Sequence, residues 1–116
     1  YIIVLGDDSM SDLKVVLHVH EENNLNVAFK NISNLKALKP DAQCCLVITG
    51  PGIKTVVGDG TISKLLEKKV SVKACQNSLD HFEIDKGEII SGVEVVPAGI
   101  LSLIELQNAG FAYIKP

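Results

Sequence analysis

A chain of 116 residues, 47% of them hydrophobic, carries enough apolar material to build one core without disulfides or metal. A formal net charge of −3, with lysines scattered along the chain, gives no basic field for a phosphate backbone, so nucleic acid is not an expected partner. No apolar run approaches the roughly 20 residues that span a bilayer. The three cysteines, Cys44 beside Cys45 and Cys75 far from both, form neither a secreted disulfide framework nor a Cys-x-x-Cys metal motif. A soluble protein with free thiols in a reducing cytoplasm is the expectation.

Tyr1 to Leu5 is apolar but runs into Gly6, Asp7 and Asp8, without the basic start and small-residue cleavage pattern of an export signal. Residues 1–12 are read as an N-terminal extension, native or added, ahead of a single domain over residues 13–116. Lys14 to Val19 is rich in β-branched residues and ends in His20, Glu21 and Glu22, which predicts a buried strand reaching a sheet edge. From Leu25 the apolar residues fall at Leu25, Ala28, Phe29, Ile32, Leu35 and Leu38, one face of a helix that Asn23 or Asn24 would cap and Pro40 would follow. Cys44 to Thr49 is a nearly continuous apolar run, as in a strand covered on both faces of a parallel sheet. Gly50-Pro51-Gly52 is expected to end it in a tight turn.

An irregular stretch through Gly58 and Gly60 precedes a short helix with Ile62, Leu65 and Leu66 on its core face and Lys68-Lys69 at its end. Val70 to Cys75 reads as a third strand and Asn77 to Phe82 as one or two helical turns. Asp85 and Glu88 have capping-box spacing. Val93 to Val96 is the fourth strand, Pro97 opens a helix over Ala98 to Asn108 that Gly110 ends, and Phe111 to Ile114 is the last strand. The alternation predicts an α/β three-layer sandwich around an open, mainly parallel sheet of about five strands, with flavodoxin-like topology. In the last helix Ile100, Leu103 and Ile104 form one stripe. Leu101 and Leu106 widen it into an area suited to a subunit interface.

Ligands in such sheets gather outside the carboxyl ends of the strands. That edge holds His18 and His20, Gly50 to Gly52, and Cys75 to Ser78. A thiol at Cys75 would meet the free N–H groups at the start of the next helix, which favour thiolate and lower its pKa from about 8.5. It is then a nucleophile or sulfur carrier; the competing role is a small buried hydrophobe at a strand end. Cys44 and Cys45 lie at the opposite end on opposite faces, a packing role that cannot close one metal site or one disulfide. His18 and His20 share one face, with a hydrogen-bonded structural role expected for the first and a solvated one for the second. No metal site is expected. Gly50-Pro51-Gly52-Ile53-Lys54-Thr55 lacks phosphate-loop spacing, and Pro51 has no N–H to donate.

Four stretches together carry a family resemblance: KVVLHV at 14–19, TGPGI at 49–53, VSVKACQNSLDHFEID at 70–85 and VEVVPAGILSLIELQNAGFAYIKP at 93–116. From about Leu13 to Pro116 the sequence resembles the DsrE/DsrF-like family, whose members adopt the YchN-like fold. The Ala-Cys-Gln-Asn-Ser-Leu context is closer to the uncharacterised single-protein branch than to the dedicated sulfur-relay subunits. In the sulfur-relay members a cysteine ending the third strand accepts persulfide sulfur, and Cys75 matches that position. The resemblance implies no organic cofactor. It further implies assembly as a homotrimer or homohexamer, or with related subunits, and sulfur donor and acceptor proteins as partners. His18, Gly50 and Gly52 match crevice positions, and Gln76 and Asn77 would offer donors to a sulfur anion. The alternative function is a non-catalytic homo-oligomer whose crevice binds a small ligand or protein, with Cys75 as packing.

Overall fold

Strand propensity and burial meet most fully in Gln43–Ile48, where every residue after Gln43 is buried. The computed structural model describes residues 13–116; the expected extension at 1–12 lies outside the described residues. Five strands form one sheet: β1 (Lys14–Val19), β2 (Gln43–Ile48), β3 (Ser71–Cys75), β4 (Glu94–Val96) and β5 (Ala112–Ile114), in the order β4-β3-β2-β1-β5. All four pairings are parallel. The doubly wound plan holds, with the last strand occupying the edge beside β1 that the second strand holds in flavodoxin order.

The helices are α1 (Asn24–Leu38), α2 (Gly60–Glu67), α3 (Gln76–His81) and α4 (Gly99–Asn108). Steps from β1 through β4 all move the same way across the sheet. Right-handed crossovers therefore put α1, α2 and α3 on one face, where Leu25, Ala28, Ile32, Ile62, Leu65 and Leu79 join Leu17, Leu46, Ile48 and Val72 in the main core. The return from β4 to β5 runs the other way and lays α4 on the opposite face, over Val16, Cys45 and Val47. Truncating a central side chain such as Leu46, which is fully buried, would cost about 2–5 kcal/mol.

Local details depart from expectation in three places. Asn23 sits at the start of α1 with helical dihedrals and no side-chain cap. The helix is instead entered through a turn in which the Asn24 and Leu25 N–H groups donate to the Glu21 and Glu22 carbonyls. At the other end Leu38, expected on the buried face, is 78% exposed. The expected tight turn after β2 is an eight-residue 3-10 helix, Gly50–Val57. Gly50 enters it at φ +56°, Pro51 supplies a preset φ at its start, and the Thr55 hydroxyl donates to the Gly52 carbonyl at 2.8 Å. The Asp85–Glu88 capping box forms as expected.

The third correction concerns α4. Its buried residues are Gly99, Ser102 and Leu103, while Ile100 and Ile104 of the expected core stripe are 71% and 50% exposed, and Leu101 is exposed as well. Small residues at 99 and 102 let the helix approach the sheet on a face one step round from the one that counting large side chains predicts.

Candidate functional site

Strand parity places the chemistry. Val16, Cys45 and Ser71 form one cross-strand row, and His18, Val47 and Lys73 the next, on the face that α4 covers. Continuing the register one row beyond the strand pairs brings His20, Thr49 and Cys75 side by side at the carboxyl edge. Here β3 leads into α3 on one face and β4 leads into α4 on the other, so the edge between them is the topological switch point of the sheet.

A cavity of about 320 Å³ opens at this point. His18, His20, Thr49 and Cys75 line it from the strand ends, Asn77 from the start of α3, and Ala98, Gly99, Ile100 and Leu103 from the approach to α4 and its first turns. A larger cavity, about 460 Å³, lies at the amino ends beside Cys44 and Cys45. It offers no comparable nucleophile: burial pushes the Cys45 thiol up to about 11 and raises Cys44 as well. Of its lysines, Lys73 is paired with Glu94 at 2.7 Å and Lys36 donates to the Ala42 carbonyl at 3.3 Å.

Cys75 behaves oppositely. It precedes α3 in an extended conformation, and its residue is 5% exposed. Burial alone would raise its pKa. The Gly99 N–H, the Ser78 hydroxyl and the N–H groups of Ser78 and Asn77 act the other way and carry the thiol below its ordinary value. The Ser78 hydroxyl is aligned for this, because its oxygen accepts the Gly50 N–H at 2.8 Å and its own proton is left free to turn toward the sulfur.

Two glycines set the space at this edge, Gly99 beside the thiol and Gly50 beside His20. A Cβ on Gly99 would collide with the Thr49 methyl and lie 3.3 Å from the Cys75 Cβ. A Cβ on Gly50 would run into the His20 ring, 2.6 Å from its Nδ1. Gly52 sits behind this layer, buried, its N–H donating to the His20 carbonyl at 2.8 Å. The cavity thus gathers His18, Asn77 and Cys75, while Gly50 and Gly52 are not among its lining residues and Gly50 packs against the His20 ring. Gln76 is not among the lining residues, and its carboxamide donates instead to Asp80 at 2.8 Å.

Both histidines reach the site, joined by groups that sequence reading missed. His18 Nδ1 lies 2.8 Å from the Tyr113 hydroxyl and its Nε2 2.8 Å from Thr49 Oγ1, which is also 3.0 Å from His20 Nδ1. Burial holds His18 below its usual pKa, with the charges of His20 and Lys115 adding to the effect. Thr49, Gly99 and Tyr113 were the unread members. Parity with Cys75 could have flagged Thr49 once the strand register was known; Tyr113 enters only through the long return to β5.

Fold and site together define a parallel α/β protein with a strand-end thiol at its switch point. The chain belongs to the DsrE/DsrF-like family, which it matches over residues 13–116. Among solved structures it is similar to the protein of unknown function MTH1491 from Methanobacterium thermoautotrophicum, at 30% identity and TM-score 0.84, over 90% of this chain and 100% of that one. The ychN protein of E. coli shares the fold at 16% identity and TM-score 0.73, over 90% of this chain and 99% of that one. Protein BT1422 of Bacteroides thetaiotaomicron, also of unknown function, shares it at 17% identity and TM-score 0.70 over the full length of both. No curated protein matches this chain.

Proposed function

We propose that this protein is a sulfur carrier in which Cys75 accepts a sulfane sulfur and hands it to a partner thiol. One observation carries the reading: of three buried cysteines, only Cys75 opens onto the switch-point cavity and has its thiolate favoured, by the N–H groups of Gly99, Ser78 and Asn77 and by the Ser78 hydroxyl. Membership of a family that includes sulfur-relay proteins agrees with it. In the accepting step the Cys75 thiolate attacks the outer sulfur of a donor persulfide. The donor's S–S bond breaks, a new S–S bond forms on Cys75, and the donor departs as a thiolate. The step is redox-neutral and needs no organic cofactor.

The working form is a homo-oligomer, a trimer or hexamer, in the cytoplasm. Exposed Ile100, Leu101 and Ile104 on α4 support it, and Ile100 also lines the cavity, so a neighbouring subunit would close the site. No helix among the described residues is long and apolar enough to cross a membrane.

Intact-protein mass spectrometry after incubation with a small persulfide tests the reading. One added sulfur is expected, located on Cys75 and lost in Cys75→Ser. No gain, or equal labelling of Cys44 and Cys45, would leave the alternative of a binding module with Cys75 as packing.

A further inference from the structure

The chain of side chains from Tyr113 to His20 has a property that packing does not require. Each of its three contacts is a hydrogen bond between groups that can both donate and accept. With neutral imidazoles two arrangements run with a single polarity through all three. In the first, Tyr113 O–H donates to His18 Nδ1, His18 Nε2–H to Thr49 Oγ1, and Thr49 O–H to His20 Nδ1, which leaves a proton on His20 Nε2. In the second every bond is reversed, and His20 Nε2 is bare.

The outer end, Tyr113, is exposed, while His20 and Thr49 line the cavity that holds Cys75. Thr49 and Cys75 also flank the same missing side chain at Gly99. The charged or titratable groups bearing on His18 are His20 and Lys115, with Tyr113 hydrogen-bonded to it.

The geometry points to Tyr113, His18, Thr49 and His20 as a proton relay for sulfur transfer at Cys75, with His20 exchanging the proton with the donor and acceptor thiols. This inference rests on the sulfur-carrier reading. When Cys75 thiolate takes the outer sulfur from R–S–SH, the departing R–S⁻ receives the Nε2 proton of His20. Thr49 then protonates His20 Nδ1, His18 protonates Thr49, Tyr113 protonates His18, and water replaces the proton on Tyr113. The relay now stands in its second arrangement, with His20 Nε2 bare. When the acceptor thiol R′–SH arrives, that nitrogen takes its proton and R′–S⁻ attacks the outer sulfur on Cys75. Cys75 leaves as thiolate, and the proton passes out through Tyr113 as the relay returns to its first arrangement. The two polarities of the relay thus match the two halves of the transfer cycle.

The test measures sulfur gain on the whole protein from glutathione persulfide by rapid quenching and mass spectrometry, across a pH series. A positioned acid or base contributes typically 10²–10⁴-fold, and a thiolate is already a good leaving group, so the low end applies. Thr49→Val should slow acceptance about 100-fold, with Thr49→Ser restoring it. His20→Ala should be slowed similarly and rescued in proportion to added imidazole. Tyr113→Phe, a change at an exposed position, should alter the pH profile while iodoacetamide alkylation of Cys75 stays at the wild-type rate. Wild-type rates and profiles in Thr49→Val and Tyr113→Phe would overturn the relay and leave the carrier intact. Slowing that neither serine nor imidazole restores would also overturn it, as the mark of a structural role. If wild-type Cys75 gains no sulfur at any pH, the carrier reading falls and takes the relay with it.

Discussion

Gly99→Ala is a one-methyl change whose effect should be read at two places at once. Gly99 has no left-handed backbone conformation, so what demands glycine here is space. The added Cβ would collide with the Thr49 methyl and press on the Cys75 Cβ at 3.3 Å, with Val47 Cγ1 at an ordinary 3.6 Å. Thr49 and Cys75 adjoin paired strands of the sheet, so neither can retreat, and the start of α4 must lift away. Overpacking of this kind costs about 1–3 kcal/mol. Alanine's advantage in a helix, at most about 1 kcal/mol, offsets part of it. A net loss of about 1–2 kcal/mol should lower the melting temperature by roughly 5–10 °C. Lifting α4 also draws the Gly99 N–H away from the Cys75 sulfur, removing the largest of the influences that favour the thiolate. Alkylation of Cys75 as a function of pH should then show its midpoint displaced upward. A variant that melts early but keeps the wild-type midpoint would refute the link between α4 and the thiol. An unchanged melt would refute the packing argument itself.

Ser78→Ala should also move the alkylation midpoint of Cys75 upward, and it leaves the Gly50 N–H without its partner at a cost of about 1–3 kcal/mol; denaturant melts and a pH series of alkylation check both effects. Cys45 offers a test of alkaline stability. Burial carries it from 9.0 to about 11, so between those values the unfolded chain has lost a proton that the folded chain keeps, and stability falls as pH rises. At 1.36 kcal/mol per unit the loss approaches about 2–3 kcal/mol near pH 11, and equilibrium unfolding of Cys45→Ala should show a shallower decline than the wild type. Leu101→Asp with Ile104→Asp should dissociate the proposed assembly in gel filtration while changing the stability of the isolated fold by no more than about 0.5 kcal/mol, because both side chains are exposed. An unchanged elution volume would remove α4 from the interface.

The legible parts of the molecule were those governed by local periodicity. The unbroken apolar run of β2 and the strand ending in Cys75 stand as expected, and so does the shared face of His18 and His20, which follows from a period of two. The unread parts depend on what packs where. The 3-10 helix after β2 answers to a glycine at positive φ, a proline and one buried threonine bond, none of which has a repeat to detect. The buried face of α4 is defined by Gly99 and Ser102, residues that hydropathy counting ignores. Thr49 became a site residue only when the register set it between His20 and Cys75, and Tyr113 only when β5 returned to the edge of β1.

The three cysteines form a comparison within one sheet that explains why the site is where it is. Cys44 and Cys45 lie near the amino end of β2, where burial acts on the thiol with only a lysine charge to counter it, Lys36 for Cys44 and Lys73 for Cys45, and both are pushed toward the neutral form. Cys75 is as buried a residue as Cys44, yet its thiolate is favoured. The difference is topological. In this parallel sheet every strand ends on the same edge, and the ends of β1 to β4 each lead into the N–H-rich start of a helix. At the switch point the chain departs to both faces, so a residue ending β3 meets N–H groups from α3 on one side and from α4, reached through β4, on the other. Burial and anion stabilisation are thereby combined at a single position, which is the condition a thiol needs to stay reactive while shielded from bulk water.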